Sequence, residues 1–375
     1  MKSDADLFSN AVSQIGKKRL PDSTFSQERF GSTLSDIRHT VSERIENFRA
    51  NGKTVRVMPP VLFDYTDDPY LDAFAFQDDS RGYIALSGCG VAVLHAAMFR
   101  LLSRPDVMWD VGDPSMEDGS LPFIPLTLDF RELAMSLADA GLTLSFFIPR
   151  NEIRALTARV MAKLAVEFVV AHEFRHIQAG HVEYWRKVTG HPFLCELTHS
   201  EPTPSEAMIS QAMEMDADCY GIATILRQVL LINSPSSKFK DGWRAAMPND
   251  ESAAFLALLA AYVVFKLFAH VDKPSQNWLE RSHPPPAMRN QMLMATVHEC
   301  FIRWNRPDLG EWLPIAIPRI IDIGERQIGI LLNAIPDKQN FLRIAGTEGC
   351  SHVAQILKTW SSIETEIALS SYVHF

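Results

Sequence analysis

The stretch VMAKLAVEFVVAHEFRHIQAGH, residues 160–181, contains two histidines four residues apart, with a glutamate directly after the first. On a helix, His172 and His176 differ by about 400° and project from one face, a turn apart. That spacing lets two imidazoles bind one tetrahedral metal ion. Glu173 then stands where a general base can reach a metal-bound water. The apolar run before the motif predicts that the helix is largely buried, so the stretch indicates a catalytic metal site.

A third metal ligand is expected from EMDAD, Glu214 to Asp218. The residues 203–206 (TPSE) form a capping box with proline at the first helical position, which predicts a helix running towards Leu231. On that helix Glu214 and Asp218 share a face, so they can supply a ligand and an acid that orients a ligand histidine. A solvated acidic face is the alternative interpretation, and Glu196 is the alternative third ligand.

His181 is not expected to bind the metal. It lies nine residues after His172, about 900° around a continuous helix, which is the opposite face.

The bulk composition is that of a globular protein, with 47% hydrophobic and 22% charged residues among 375. A formal net charge of -9 argues against nucleic acid as a partner. Five scattered cysteines without a CxxC pair indicate reduced thiols, and the N-terminus has no secretory signal, so we expect a cytoplasmic protein.

One apolar segment, Ala253 to Phe265, raises the question of a membrane. A bilayer span needs about 20 apolar residues, whereas runs of about 10–14 more often form core helices. The sequence therefore favours a buried helix, with a membrane segment as the alternative.

The order of predicted elements indicates an α+β fold that is predominantly α, with a small N-terminal β-sheet, an active-site helix and additional C-terminal helices. Predicted strands cover residues 54–59, 72–76 and 82–87, and predicted helices cover residues 32–49, 90–103 and 131–140. Asn151 is expected to cap the long helix that carries the metal motif. We expect three parts: an N-terminal helical segment (1–50), a catalytic domain (51–305) and a C-terminal helical extension (306–375).

HEFRHIQAGH followed by EMDAD resembles the gluzincin zinc peptidases, whose pattern is HExxHxxxGH…ExxxD. DAFAFQDDSRGYIALSGCGV (residues 72–91) is similar to the strand and hairpin before the catalytic helix in the HtpX and CAAX-prenyl-protease type of gluzincin. RSHPPPAMR (residues 281–289) is similar to their HPxxxxR element, and the soluble phage-exclusion Lit-like peptidases carry a similar motif. The four elements span about residues 70–290. Asp72 stands where the family usually has Asn, and Arg175 where it often has glycine.

The resemblance implies a zincin-like catalytic domain that binds Zn²⁺ and hydrolyses peptide bonds of a protein substrate. It assigns zinc to His172, His176 and Glu214, and a hydrogen bond to a ligand histidine to Asp218. Glu173 would be the general base. It implies that His283 lies near the metal to stabilise the oxyanion and that Arg289 anchors its loop or binds an acid. Ala73, Phe74, Ala75 and Phe76 would form an edge strand to which an extended substrate adds.

Two other functions are compatible with parts of the sequence. Gly88-Cys89-Gly90 after a strand is typical of dinucleotide folds, but Val93 stands at the third small position and no second βαβ unit follows. The second is a non-catalytic, metal-stabilised protein-binding module. A glutamate beside the metal ligands argues against that module, because a structural zinc site needs no base.

Overall fold

A computed structural model describes residues 3–26, 30–51, 54–118, 125–140, 147–190, 193–195, 203–233, 242–271, 277–334 and 338–373. The strands are β1 (Val61–Thr66), β2 (Ala73–Gln77), β3 (Gly82–Ser87) and β4 (Phe193–Cys195). The helices are α1 (Asp4–Ser13), α2 (Phe30–Asn51), α3 (Gly88–Leu102), α4 (Phe130–Asp139), α5 (Glu152–Gln178), α6 (His181–Thr189), α7 (Pro204–Asn233), α8 (Gly242–Ala246), α9 (Asp250–Val271), α10 (Pro286–Arg303), α11 (Pro307–Ile321), α12 (Ile328–Leu331), α13 (Lys338–Ala345) and α14 (Thr347–Ser370).

The fold class predicted from the sequence is confirmed, since helices dominate and the strands form one small sheet. The strand order is β1-β3-β2-β4, with β1 parallel to β3 and β2 antiparallel to both of its neighbours. Three of the strands are short and apolar enough to be buried along most of their length. The sheet therefore packs against helices instead of facing water on one side.

Helix α5 lies at the centre of the molecule and packs against α3, α7, α9 and the sheet. Asn151 caps it as predicted, its side chain accepting hydrogen bonds from the amides of Ile153 and Arg154 at 3.1 and 3.2 Å. Nearly every residue from Val160 to Gln178 is buried. Burial on all sides gives the metal motif a rigid and dry support.

A buried arginine fixes the start of α5. The side chain of Arg154 is fully buried and donates five hydrogen bonds of 2.8–2.9 Å to main-chain carbonyls in the loop that follows α3. The carbonyls belong to Leu102, Arg104, Val107, Met108 and Val111. The planar Arg154 guanidinium therefore donates the hydrogen bonds that main-chain amides would give these carbonyls in a regular helix or strand.

Helix α9 contains the apolar segment of residues 253–265, and the burial predicted for that segment is confirmed. The helix is long and apolar enough to span a membrane, but 78% of its apolar window is buried within the protein. Its neighbours are α5, α7, α10 and α11.

The C-terminal helices pack onto the rest of the protein. Helix α14 contacts α7 and α6, and the main-chain amide of Tyr372 donates to the carbonyl of Gln178 at the end of α5 (2.9 Å). One continuous hydrophobic core includes residues from all three sequence segments, from Leu20 to Tyr372. The division at residues 50 and 305 stays a prediction.

The strand predicted for residues 54–59 is wrong. This segment lies outside the sheet, with a bend at residues 55 and 56, and Val57 is 93% exposed. The amide of Val55 donates to the carbonyl of Tyr372 at 2.9 Å, so the segment bonds to the C-terminal part of the chain. Strand β1 begins only at Val61.

The N-terminus of α3, where a dinucleotide would have to bind, is closed. The Ser87 side chain caps it by accepting from the Gly90 amide at 2.9 Å. A Cβ atom at Gly90 would lie 2.8 Å from the Leu71 side chain. The glycines here therefore permit close packing of the protein itself.

Candidate metal centre

His172 and His176 lie one turn apart on the buried length of α5. Their Nε2 atoms are 3.0 Å apart, and the two residues are 3% and 1% exposed. This is the pairing that the HExxH spacing predicts.

Glu214 approaches the two histidines from α7. The capping box that begins α7 forms as predicted: the Glu206 carboxylate accepts from the Thr203 amide at 2.8 Å, and the Thr203 hydroxyl accepts from the Glu206 amide at 3.3 Å. Three turns later, the Glu214 carboxylate oxygens lie 3.2 Å from Nε2 of His172 and 3.2 Å from Nε2 of His176. All candidate ligand atoms lie within 4.8 Å of one another, so the three side chains can hold a metal ion.

The separations are close to those around a zinc ion. With bonds of about 2.0–2.1 Å, the edges of a tetrahedron around zinc are about 3.3 Å long. The two Nε2 atoms are 3.0 Å apart, and each lies 3.2 Å from a different carboxylate oxygen of Glu214, Oε2 for His172 and Oε1 for His176. Nδ1 of His172 faces a carboxylate and therefore carries a proton, so Nε2 is the nitrogen through which the neutral ring would bind a cation.

Asp218 supports the first ligand histidine. Its Oδ1 lies 2.9 Å from Nδ1 of His172, and its two oxygens accept from Nε and Nη2 of Arg289 at 2.8 Å each. A carboxylate on Nδ1 fixes the tautomer and ring orientation of a metal-binding histidine. Arg289 also lies 3.5 Å from the carboxylate of Glu214. Asp218 and Arg289 thus contact the residues that the resemblance assigns to them.

The electrostatics of the centre favour charged carboxylates. Burial opposes ionisation, but His283, His172 and His176 hold the pKa of Glu214 well below its ordinary value. Burial likewise opposes the charge of Asp218, and Arg289 with His172 lowers its pKa. Although burial acts against it, the charges of Glu214 and Asp218 raise the pKa of His172 well above its ordinary value. The two acids therefore favour a positive charge beside His172, such as a bound cation.

Glu173 and His283 complete the group of predicted site residues. Glu173 follows His172 on α5 and is 3% exposed. His283 lies in the loop before α10, with Nε2 3.3 Å from Glu214 Oε2 and Nδ1 2.8 Å from the Ser282 hydroxyl. Gln211, one turn before Glu214, donates to the carbonyls of Trp278 and Arg281 at 2.7 Å and so ties this loop to α7.

The prediction that residues 73–76 form an edge strand is wrong. Residues Ala73, Phe74, Ala75 and Phe76 lie in β2, but β2 is interior, because β4 pairs with it through Phe74, Ala75 and Phe76. The four residues are 7% exposed or less. An extended peptide cannot pair with an edge that the chain itself already occupies.

Glu196 and His181 are the two other residues that the sequence raises as possible metal ligands. Glu196 lies outside the described residues. His181 is absent from the ligand cluster, yet the argument from a continuous helix fails, because α5 ends at Gln178 and Gly180 adopts φ +83°. The turn returns His181 to the back of the site, where its Nδ1 lies 3.1 Å from Nδ1 of His176. A glycine directly before the histidine was the sequence signal for this reversal.

Comparisons with family models, with curated proteins and with solved structures found no match to this chain. Its likeness to gluzincins therefore rests on the motif residues and on where the fold places them.

Proposed function

We propose that the protein is a zinc-dependent endopeptidase of the gluzincin type. The observation that carries the proposal is the convergence of His172, His176 and Glu214 from two helices at distances that fit a tetrahedral ion. Two histidines and one glutamate are the protein ligands of known catalytic zinc sites, which keep the fourth position for water or substrate. The HExxH motif, the EMDAD acids and the HPPPAMR element support the assignment together.

The chain's own residues have separate roles in this reaction. When bound, zinc would polarise the scissile carbonyl and lower the pKa of the attacking water towards about 7. Glu173 accepts the proton of that water and passes it to the leaving amine. His283, beside the Glu214 carboxylate, is placed to donate to the carbonyl oxygen as negative charge develops there. Asp218 and Arg289 hold His172 in position.

The substrate we propose is a protein or peptide, by resemblance to gluzincins. Strand β2 plays no part in binding it, since its free side is covered by β4.

Metal content and peptide hydrolysis test the proposal together. We would purify the chain without chelator, measure zinc by mass spectrometry and follow cleavage of a mixed peptide library, comparing wild type with Glu173→Gln, Glu214→Ala and Glu196→Ala. We expect about one zinc per chain, kept in Glu173→Gln but lost in Glu214→Ala. Hydrolysis is expected in wild type and in Glu196→Ala, and it should be lost in Glu173→Gln and Glu214→Ala.

Three results would contradict the proposal. Wild-type chain without zinc would remove the metal site. Zinc that survives in Glu214→Ala and is lost in Glu196→Ala would move the third ligand and break the resemblance that depends on EMDAD. Cleavage that persists in Glu173→Gln would exclude the proposed general base.

A further inference from the structure

We propose that His181 and Asp216 are positioning residues for the second zinc ligand, His176, through a chain of polar contacts that ends at Arg175. This inference rests on the proposed metal site. It gives each ligand histidine its own carboxylate–arginine pair: Asp218 and Arg289 act directly on His172, and Asp216 and Arg175 act on His176 through His181.

The first link joins His176 to His181. Their Nδ1 atoms are 3.1 Å apart, and Nε2 of His176 belongs to the ligand cluster. A ligand histidine that uses Nε2 for the metal carries its proton on Nδ1. Nδ1 of His176 therefore donates to Nδ1 of His181, which acts as the acceptor.

The second link joins His181 to Asp216. Because Nδ1 of His181 accepts, its proton must be on Nε2. This Nε2 is buried, forms no hydrogen bond within the described part of the chain and lies 3.4 Å from Oδ2 of Asp216. A buried N–H that lacks a good acceptor is costly, so it gains most from the nearest carboxylate.

The third link holds Asp216 in place. Arg175 donates from Nε and Nη2 to the two oxygens of Asp216, at 2.6 and 3.2 Å. The guanidinium also lies over the ring of Tyr220, 5.3 Å from its centre. Arg175 stands where gluzincins often have glycine, so this arrangement accounts for the departure: the side chain pairs with an acid on α7 instead of crowding the metal.

The position of His181 leaves it little freedom to move. It is fully buried, and Trp360 of α14 packs edge-on against its ring with centres 5.8 Å apart. Its main chain begins α6 directly after the left-handed Gly180. Such a fixed ring can orient His176 in the way that the Asp218 carboxylate orients His172.

The test measures metal binding, with no need for turnover. We would determine zinc affinity by competition with a chromophoric chelator and record the visible spectrum of the cobalt-loaded protein. The variants are His181→Phe, which keeps a ring but removes both nitrogens, and His181→Asn, whose amide oxygen can replace Nδ1 as acceptor. Asp216→Asn tests the second link. Trp360→Phe is the matched control, because it changes the packing around His181 and leaves His181, Asp216 and Arg175 themselves in place.

We expect His181→Phe to weaken zinc binding about 10- to 100-fold and to alter the cobalt spectrum. His181→Asn should recover most of the affinity, Asp216→Asn should lose part of it, and Trp360→Phe should bind as wild type does. The unfolding temperature of the metal-stripped proteins separates this effect from general destabilisation. If His181→Phe does not fold, His181→Asn and Asp216→Asn still decide.

If wild type, His181→Phe and Asp216→Asn bind zinc equally, the proposed role of His181 and Asp216 is wrong, and the metal site itself is unaffected. An equal loss in His181→Phe and Trp360→Phe would also overturn that role, because packing alone would explain the result. A wild-type chain that binds no zinc would overturn the proposed function and, with it, the proposed role of His181 and Asp216.

Discussion

Nδ1 of His172 lies 2.9 Å from Oδ1 of Asp218, although 46 residues separate them in the chain. Helices α5 and α7 pack side by side, and this contact fixes their rotation so that Glu214, one turn from Asp218, faces both histidines. The same residue pair therefore sets the helix packing and the geometry of the metal centre.

Asp218→Asn should weaken zinc binding about 10- to 100-fold, because the neutral amide no longer fixes His172 or pairs with both nitrogens of Arg289. Competition with a chromophoric chelator measures the change. Asp308→Asn, which alters an exposed acid on α11, should bind zinc normally. Unchanged affinity in Asp218→Asn would show that the charge of Asp218 is not needed to hold His172.

His283→Ala should lower peptide hydrolysis about 10²- to 10³-fold, as expected for the loss of one donor to developing negative charge. Zinc affinity should stay close to that of wild type, because His283 contacts the Glu214 carboxylate from outside the ligand cluster. His270→Ala, at an exposed position near the end of α9, is the control.

If His283→Ala instead loses zinc as fully as Glu214→Ala, His283 is a fourth protein ligand. The site would then be closed, as structural zinc sites are, and the non-catalytic binding module would become the better interpretation.

Arg154→Met should destabilise the fold by about 3–5 kcal/mol, because five buried carbonyls lose their donor. Urea unfolding at constant metal concentration measures this free energy. Arg159→Met, on the exposed side of the same helix, should change stability by no more than about 0.5 kcal/mol. Similar values for the two variants would mean that water can replace the buried guanidinium.

Gly180→Ala should destabilise the protein more than Gly190→Ala does. Both glycines have positive φ, +83° and +78°, so the conformational penalty of alanine is nearly the same. A Cβ at Gly180 would lie 2.5 Å from the Ser370 carbonyl carbon, whereas none of the described atoms lies within 4 Å of one at Gly190. The difference in unfolding free energy should be about 1–3 kcal/mol. Equal values would mean that α14 can move away from the turn.

The protein should become less stable as the pH decreases, partly because of His95 in α3. Burial lowers the pKa of His95 to about 4, whereas the unfolded chain protonates it near pH 6.5. Between these values the unfolded state binds the proton and the folded state does not, so stability is lost as the pH falls from about 6.5 to 4, by at most about 1.4 kcal/mol per pH unit. Above pH 6.5 the residue contributes no pH dependence.

His95→Leu should flatten this part of the stability curve, as measured by urea unfolding at several pH values. Exposed His39 on α2 provides the control, since His39→Leu makes the same substitution at a surface position. A curve for His95→Leu that is parallel to that of wild type would contradict the assignment.

Much of the fold was readable from local patterns. The caps at Asn151 and Thr203, the strand of residues 82–87 and the helical spacing of residues 32–49 all have their counterparts in the structure. The metal cluster was predictable because HExxH and ExxxD each place their side chains on one helix face. Both kinds of inference need only the period of a helix or strand.

The errors come from contacts between distant parts of the chain. Residues 54–59 alternate like a strand, but Arg56 bonds to the carbonyl of Ser370, 314 residues later, and stacks on Tyr372. Strand β2 looks like an edge until β4 returns to pair with it. The exclusion of His181 as a metal ligand agrees with the cluster, but the continuous helix assumed for it ends at Gln178, and Gly180 turns the chain. Local periodicity contains no information about such partners.

The contact of Trp360 with His181 and that of Tyr372 with the end of α5 can form only after residues 360 and 372 have been synthesised. A ribosome adding about 5–20 residues per second needs on the order of ten to thirty seconds to extend the chain from Glu214 to Tyr372. In that interval the three ligand residues have been synthesised, but Trp360 is not yet available to pack against His181. An unfinished nitrogen and oxygen site ranks divalent metals by intrinsic affinity, with copper above zinc. We therefore expect selectivity for zinc to appear only once Trp360 and Tyr372 have packed in place.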